Sequence, residues 1–304
     1  MFMARRERSA RHPSARTASG RKASDRQALR RSTLERRYDF HLGEAIRAGL
    51  QGTHDKAAGH SRQALLISRE LYADAADTAQ HQPELAAALC AHARYGGGTW
   101  QAIAMLAESA GHYAVLAEAD PAAYEVARID VLAGIAQASE AAGSTLDAIS
   151  LLHEVVGLYL KAPAADQEER DLGLARARFH LGHCLLKVGM DEDGLAETEA
   201  GLELAADVLD RLQIEFTAHG WLADAPRYLQ LAAPDWAAAA VRSMTLHTDA
   251  GRWPQAATAA RAAIGVSGGL AELGGDTLRD AHEKISARAK EVLERAKHPG
   301  TVRR

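Results

Sequence analysis

Apolar residues recur at three- and four-residue intervals through most of the chain, the spacing of one helical face. The runs VARIDVLAGIAQASEAAG (126–143) and LARARFHLGHCLLKVG (174–189) show it clearly. Each run stops at a glycine, and a second begins at once: STLDAISLLHEVVGLYL (144–160) and MDEDGLAETEAGLELAADVL (190–209). Glycine at such a stop enters the left-handed conformation that closes a helix without Cβ strain. Ser144, Thr145, Asp147, Asp191 and Asp193 follow, short hydroxyl and acidic side chains that suit a helix start. The pattern predicts antiparallel helix pairs, each joined by a tight turn. Period-two runs of β-branched and aromatic residues are scarce, so no sheet is expected.

The stops are in register. Gly52, Gly97, Gly143 and Gly189 are separated by 45, 46 and 46 residues, and a fixed period of this kind signals a repeat architecture. Five residues after each glycine stands a small residue, Ala57, Ala102, Ala148 or Gly194, where the two helices must cross. Leu106 and Leu152 follow four residues later, with Ser61 and Thr198 as weaker equivalents. The period then breaks. The next stop is Gly251, with Pro254 near the first helical position and Ala256 at the small position. The excess falls around FTAHGWLADAPRYLQLAAP, Phe216 to Pro234, which reads as an irregular insertion. GVSGGLAELGG (265–275) reads as a flexible loop, and an amphipathic helix from about Asp276 to Lys297 reads as the polar cap that a stack of helix pairs needs. Trp221, Trp236 and Trp253 are expected to pack the insertion and the last pair, with an aromatic binding patch as the competing use.

Taken together, these features resemble the tetratricopeptide repeat. That family places a small residue in the second helix, a glycine at the turn and a Leu-Gly-like pair in the first helix; here the pairs are Leu89-Cys90, Ile135-Ala136 and Leu181-Gly182. Pro83, Pro121 and Pro163 fall between successive helix pairs, as the family's proline does. The period departs from the family's ~34 residues, so the chain resembles a long-period bacterial variant, over roughly residues 34–212. The resemblance implies an all-α, right-handed α-solenoid of antiparallel helix pairs. It implies a noncatalytic scaffold or regulatory module that binds a protein or peptide on the concave face lined by first helices. Counting back from each turn, the inward positions are Arg94 and Tyr95 in the second unit, Asp130, Gln137 and Glu140 in the third, and Arg176, His183 and Lys187 in the fourth.

Charge divides the chain. Residues 1–37 carry twelve Lys or Arg against three acids, while the formal net charge of the whole is −4. Residues 1–33 therefore read as a disordered basic arm, able to contact nucleic acid phosphates without sequence preference, ahead of an acidic body. Four helix pairs are expected over 34–212, the insertion and a fifth pair over 213–270, and the cap and tail over 271–304. Cys90 and Cys184 are too few for a disulfide framework, which suits a cytoplasmic protein. No apolar run reaches the ~18 residues of a membrane span.

Catalytic and cofactor motifs do not emerge. Gly265–Gly269 matches the G-x-S-x-G nucleophile pattern, but that motif works on a strand-to-helix turn above a sheet, so Ser267 is expected to be an ordinary loop residue. His180, His183 and Cys184 share one side of a helix at a spacing that suits zinc, without an evident fourth ligand. A packed Cys184 beside polar histidines is the expectation. Asp191–Gly194 lacks the ligand spacing of a calcium loop. No cofactor is expected.

Overall fold

The computed structural model describes residues 16–75, 78–216, 218–273 and 276–298. Among them are eleven α-helices, a 3-10 turn at Thr78–His81 and no strand. The helices are α1 (Arg16–Leu50), α2 (His54–Asp74), α3 (Gln82–Gly96), α4 (Thr99–Ala119), α5 (Pro121–Ala141), α6 (Thr145–Tyr159), α7 (Gln167–Lys187), α8 (Asp191–Leu212), α9 (Arg227–Asp249), α10 (Trp253–Leu273) and α11 (Asp276–Lys297). Each packs on the next in sequence, so the all-α stack of helix pairs expected from the hydrophobic pattern is what the chain adopts. First helices of successive pairs also touch, α1 with α3, α5 with α7 and α7 with α9, which places them on the inner side of the stack. Among the described residues no helix is long and apolar enough to cross a membrane.

Four of the five turn glycines take the expected left-handed conformation: Gly52, Gly143, Gly189 and Gly251 have φ of 70°, 91°, 82° and 69°. Gly97 does not; its φ of −108° and ψ of 151° are extended. Three consecutive glycines, 96–98, spread that reversal over several residues instead of one. The expected side-chain caps after the turns are also absent. Ser144 makes no cap hydrogen bond, and Met190, not an aspartate, holds the cap position of α8. Asp147, Asp191 and Asp193 sit in the first turn, where they act on the helix dipole. Side-chain caps occur instead between pairs: Asp120 accepts from the Ala123 N–H at 3.2 Å, and Asp166 from the Glu169 N–H at 2.9 Å.

The small residues after the turns are buried at the helix crossings. Contact is closest between α7 and α8. A Cβ on Gly182 would stand 2.6 Å from the Gly194 carbonyl oxygen, and one on Gly194 would stand 2.9 Å from that of Gly182. Two backbones meet there, with the Thr198 hydroxyl and the Leu186 side chain close beside the contact.

Both ends depart from the sequence reading. The expected disordered arm, 1–33, is helical from Arg16 onward; residues 1–15 lie outside the described residues. Its basic residues find acids on α2: Arg30 pairs with Glu70 at 2.5 Å and Asp74 at 3.7 Å. Leu34 and Tyr38 are buried, and Tyr38 donates to the Glu84 carbonyl at 2.9 Å. At the other end the irregular segment is only 213–226; α9 starts at Arg227 and carries Pro234 inside it. Of the expected loop, 265–275, residues 265–273 are helix, the last two turns of α10, and 274–275 lie outside the described residues. Its glycines serve close packing: a Cβ on Gly265 would meet the Phe216 ring at 2.3 Å, and one on Gly269 would meet the Trp221 indole at 2.5 Å. Trp221 donates to the Gly265 carbonyl at 3.2 Å and packs with Phe216 and Trp236, ring centres 6.3–6.4 Å apart. Two of the three C-terminal tryptophans thus fill a core, and Trp253 is half-buried at the start of α10.

Candidate ligand-binding groove

The five first helices converge on one cavity of about 520 Å³. Leu42 and Ile46 come from α1, Leu231 from α9, and most of the remaining wall is Ala, Val, Leu and Gly of α3, α4, α5 and α7. Alanine dominates because small side chains on facing helices leave space between them. Of the inward positions implied by the repeat register, Arg94, Tyr95, Asp130, Gln137 and Arg176 line this cavity. The Tyr95 ring lies against α1 where Gly49 provides room; a Cβ there would stand 2.4 Å from it. A second recess, about 220 Å³, holds Gln137, Glu140 and His183 together with His180, Cys184, Asp235 and Arg242. Gln137 and His180 border both spaces, which are therefore neighbours. Lys187 lines neither and pairs with Glu140 at 2.5 Å.

A chain of buried polar contacts crosses the floor. Tyr159 of α6 donates to Asp130 Oδ1 at 2.5 Å. Arg176 lies 3.9 Å from the same oxygen and donates through Nε to Asp235 Oδ2 at 3.2 Å. His180 Nε2 sits 3.3 Å from Asp235 Oδ2, in ion-pair range but out of hydrogen-bond alignment. Burial alone would raise the Asp235 carboxyl; His180, Arg176 and Arg94 outweigh it and hold it well below the ordinary carboxylate range. Burial likewise opposes charge on Arg176, and Asp235 and Asp130 overcome it. Burial raises the Tyr159 phenol, reinforced by Asp130.

The recess differs in balance. Burial, then Arg242, lowers the His183 imidazole below its usual value, favouring the neutral ring. Burial pushes the Cys184 thiol up to about 11, which keeps it protonated and unreactive at neutral pH. His180, His183 and Cys184 do not assemble a metal centre: no group of three or more metal-ligating side chains with suitable geometry occurs among the described residues.

Ser267 is buried in the α10–α11 seam, donating to the Ile264 carbonyl at 3.3 Å, with His282 Nδ1 2.9 Å from its hydroxyl and Ser286 on the same ring. This is a polar bridge between two packed helices, outside the groove.

Three groove residues escaped the repeat register. His180 stands one turn from Arg176 and shares the face of His183 and Lys187, a spacing of four, seven and eleven that the sequence displays. Asp235 and Arg242 are seven apart on α9, two helical turns on one face, but the broken period hid which face that is. Comparison with protein-family models and with curated proteins finds no match for this chain.

Proposed function

We propose that this chain is a noncatalytic interaction module of tetratricopeptide-like design that captures a protein or peptide partner along the groove of its first helices. One observation carries the reading: α1, α3, α5, α7 and α9 all contribute to a single cavity, with polar residues of alternating sign on three of them. Helix-pair stacks present such extended inner surfaces to partners. The 45–46-residue period and the crossings through small residues support the tetratricopeptide assignment. A scaffold or regulatory role follows from that assignment, and two free cysteines, too few for a disulfide framework, fit the cytoplasm.

The test is partner capture by the immobilised full chain. Arg94→Glu with Lys187→Glu reverses an exposed charge on the cavity wall and the charge that pairs with Glu140 beside the recess, and should abolish retention, whereas Glu154→Lys on the exposed face of α6 should not. Equal retention by all three proteins would remove the groove as the docking surface.

A second reading has its own observation. Arg26, Arg36 and Arg37 are exposed on α1 and form no ion pair with a described residue, which gives a basic helical ridge suited to phosphates. Retention on DNA or RNA that falls steeply between low and moderate salt, and is lost in an Arg26→Ala, Arg36→Ala, Arg37→Ala protein, would favour it.

A further inference from the structure

Charges in the recess nearly all have partners. Lys187 holds Glu140, and Arg176 and His180 hold Asp235. Arg242 does not fit this scheme. Its guanidinium forms no ion pair among the described residues, its Nε is buried without a hydrogen-bond partner, and Nη2 reaches only the Phe179 carbonyl, at 3.5 Å. Burial lowers its affinity for a proton, and Asp235 opposes that. A half-buried guanidinium with free N–H groups facing a cavity lacks acceptor oxygens. Beside it stand the Gln137 amide and the His183 ring, both able to donate.

We infer that recess and cavity together form a site for a small amphiphilic monocarboxylate, its carboxylate on Arg242 and its hydrocarbon tail in the alanine-lined cavity. A single negative charge fits because Glu140 and Asp235 border the same recess and repel a second. A hydrocarbon tail fits the part of the cavity wall where alanines predominate. The wall's uncharged polar side chains, Gln137, Tyr95, Tyr113 and Thr99, are outnumbered by apolar ones, against which an alkyl chain can bury its surface. About 520 Å³ is within the usual range for small-molecule sites. This site shares the cavity with the proposed partner groove, and Arg242, which borders the recess and not the cavity, separates the two in a test.

Isothermal titration of the full chain with decanoate, below its micelle concentration, tests the proposal. Decanoate should bind one per chain, and each CH₂ removed from the tail should weaken binding about fourfold. Decanol, without the charge, should bind about 10- to 100-fold more weakly, and Arg242→Gln should lose a similar factor for decanoate. Decyl phosphate should bind no more tightly than decanoate. Arg261→Gln, on the exposed face of α10 and outside both spaces, should change affinity less than about threefold, as a screened surface charge does. Circular dichroism checks that Arg242→Gln is folded. If it is not, Ala87→Leu serves instead: filling the tail space should weaken decanoate and leave butyrate unchanged. Failure of decanoate to bind, equal binding of decanol, or an undiminished Arg242→Gln protein would overturn the assignment. So would loss of binding in Arg261→Gln alone.

Discussion

Glycine admits close neighbours at several places in this molecule, and two of these places differ in kind. Between α7 and α8, Gly182 and Gly194 bring backbone against backbone. In α10, Gly265 and Gly269 bring backbone against aromatic rings contributed by the segment 213–226. The first contact belongs to the repeat and is rigid on both sides. The second is local to the break in period, where Phe216, Trp221 and Trp236 pack in one cluster. A stack of small-residue crossings can close along its length by repetition, whereas the place where the period breaks needs large side chains to fill it.

The aromatic core should therefore show the largest single losses. Trp236 is 2% exposed, and Trp236→Ala should lower unfolding free energy by about 3–5 kcal/mol, read as a shift in urea midpoint at constant slope. A loss below about 1 kcal/mol would mean that the insertion is dispensable and the repeat alone holds the fold.

Asp235, the neighbour of Trp236, belongs to the groove rather than the core, and its substitution separates the two. Asp235→Asn leaves Arg176 with only the longer Asp130 contact and should cost about 3 kcal/mol at neutral pH. The carboxyl is held below its unfolded value near ~3.9. Its contribution is thus fully present above that pH and is lost as pH falls below it toward the folded value. Chemical denaturation at pH 7 and pH 3 should give a smaller stability difference for Asp235→Asn than for the unaltered chain. An unchanged difference would place the acid-sensitive pairing elsewhere.

Glycine substitutions address the comparison itself. Alanine in a helix interior is intrinsically better than glycine by about 1 kcal/mol. At Gly182 the new Cβ meets backbone atoms that cannot yield, so Gly182→Ala should cost about 2–3 kcal/mol net. At Gly265 it meets the Phe216 ring, which can tilt, so Gly265→Ala should cost about 1 kcal/mol, and adding Phe216→Leu should recover most of that loss. A Gly265→Ala protein less stable than Gly182→Ala would reverse the comparison.

What was legible in the sequence follows the same division. Turn glycines and the small positions after them repeat every 45 or 46 residues, so the helix pairs and five of the inward residues lining the larger cavity could be counted from them. Asp235 and Arg242 follow the break in period, where counting has no anchor. Gly265, Gly268 and Gly269 suggested a loop because glycine is a poor helix former in isolation. The partners of Gly265 and Gly269, Phe216 and Trp221, lie far upstream, and no local pattern announces that contact. The arginine-rich start suggested a disordered arm for a similar reason: Glu70 and Asp74, which receive Arg30, stand on another helix.

The smallest expected effect separates the two kinds of helix start. At turns inside a pair, Ser144 holds the cap position of α6 with no side-chain bond, because Gly143 has already reversed the chain and the Ser144 N–H is bonded back to the Ser139 carbonyl at 2.9 Å. Between pairs no glycine closes the preceding helix, and Asp166 holds the start of α7 through its bond to the Glu169 N–H. Asp166→Ala should therefore cost about 1 kcal/mol, while Ser144→Ala should stay within about 0.5 kcal/mol of the unaltered chain. Equal losses would mean that the left-handed glycine does not substitute for a side-chain cap, and that the hairpin turns depend on the polar residues that follow them.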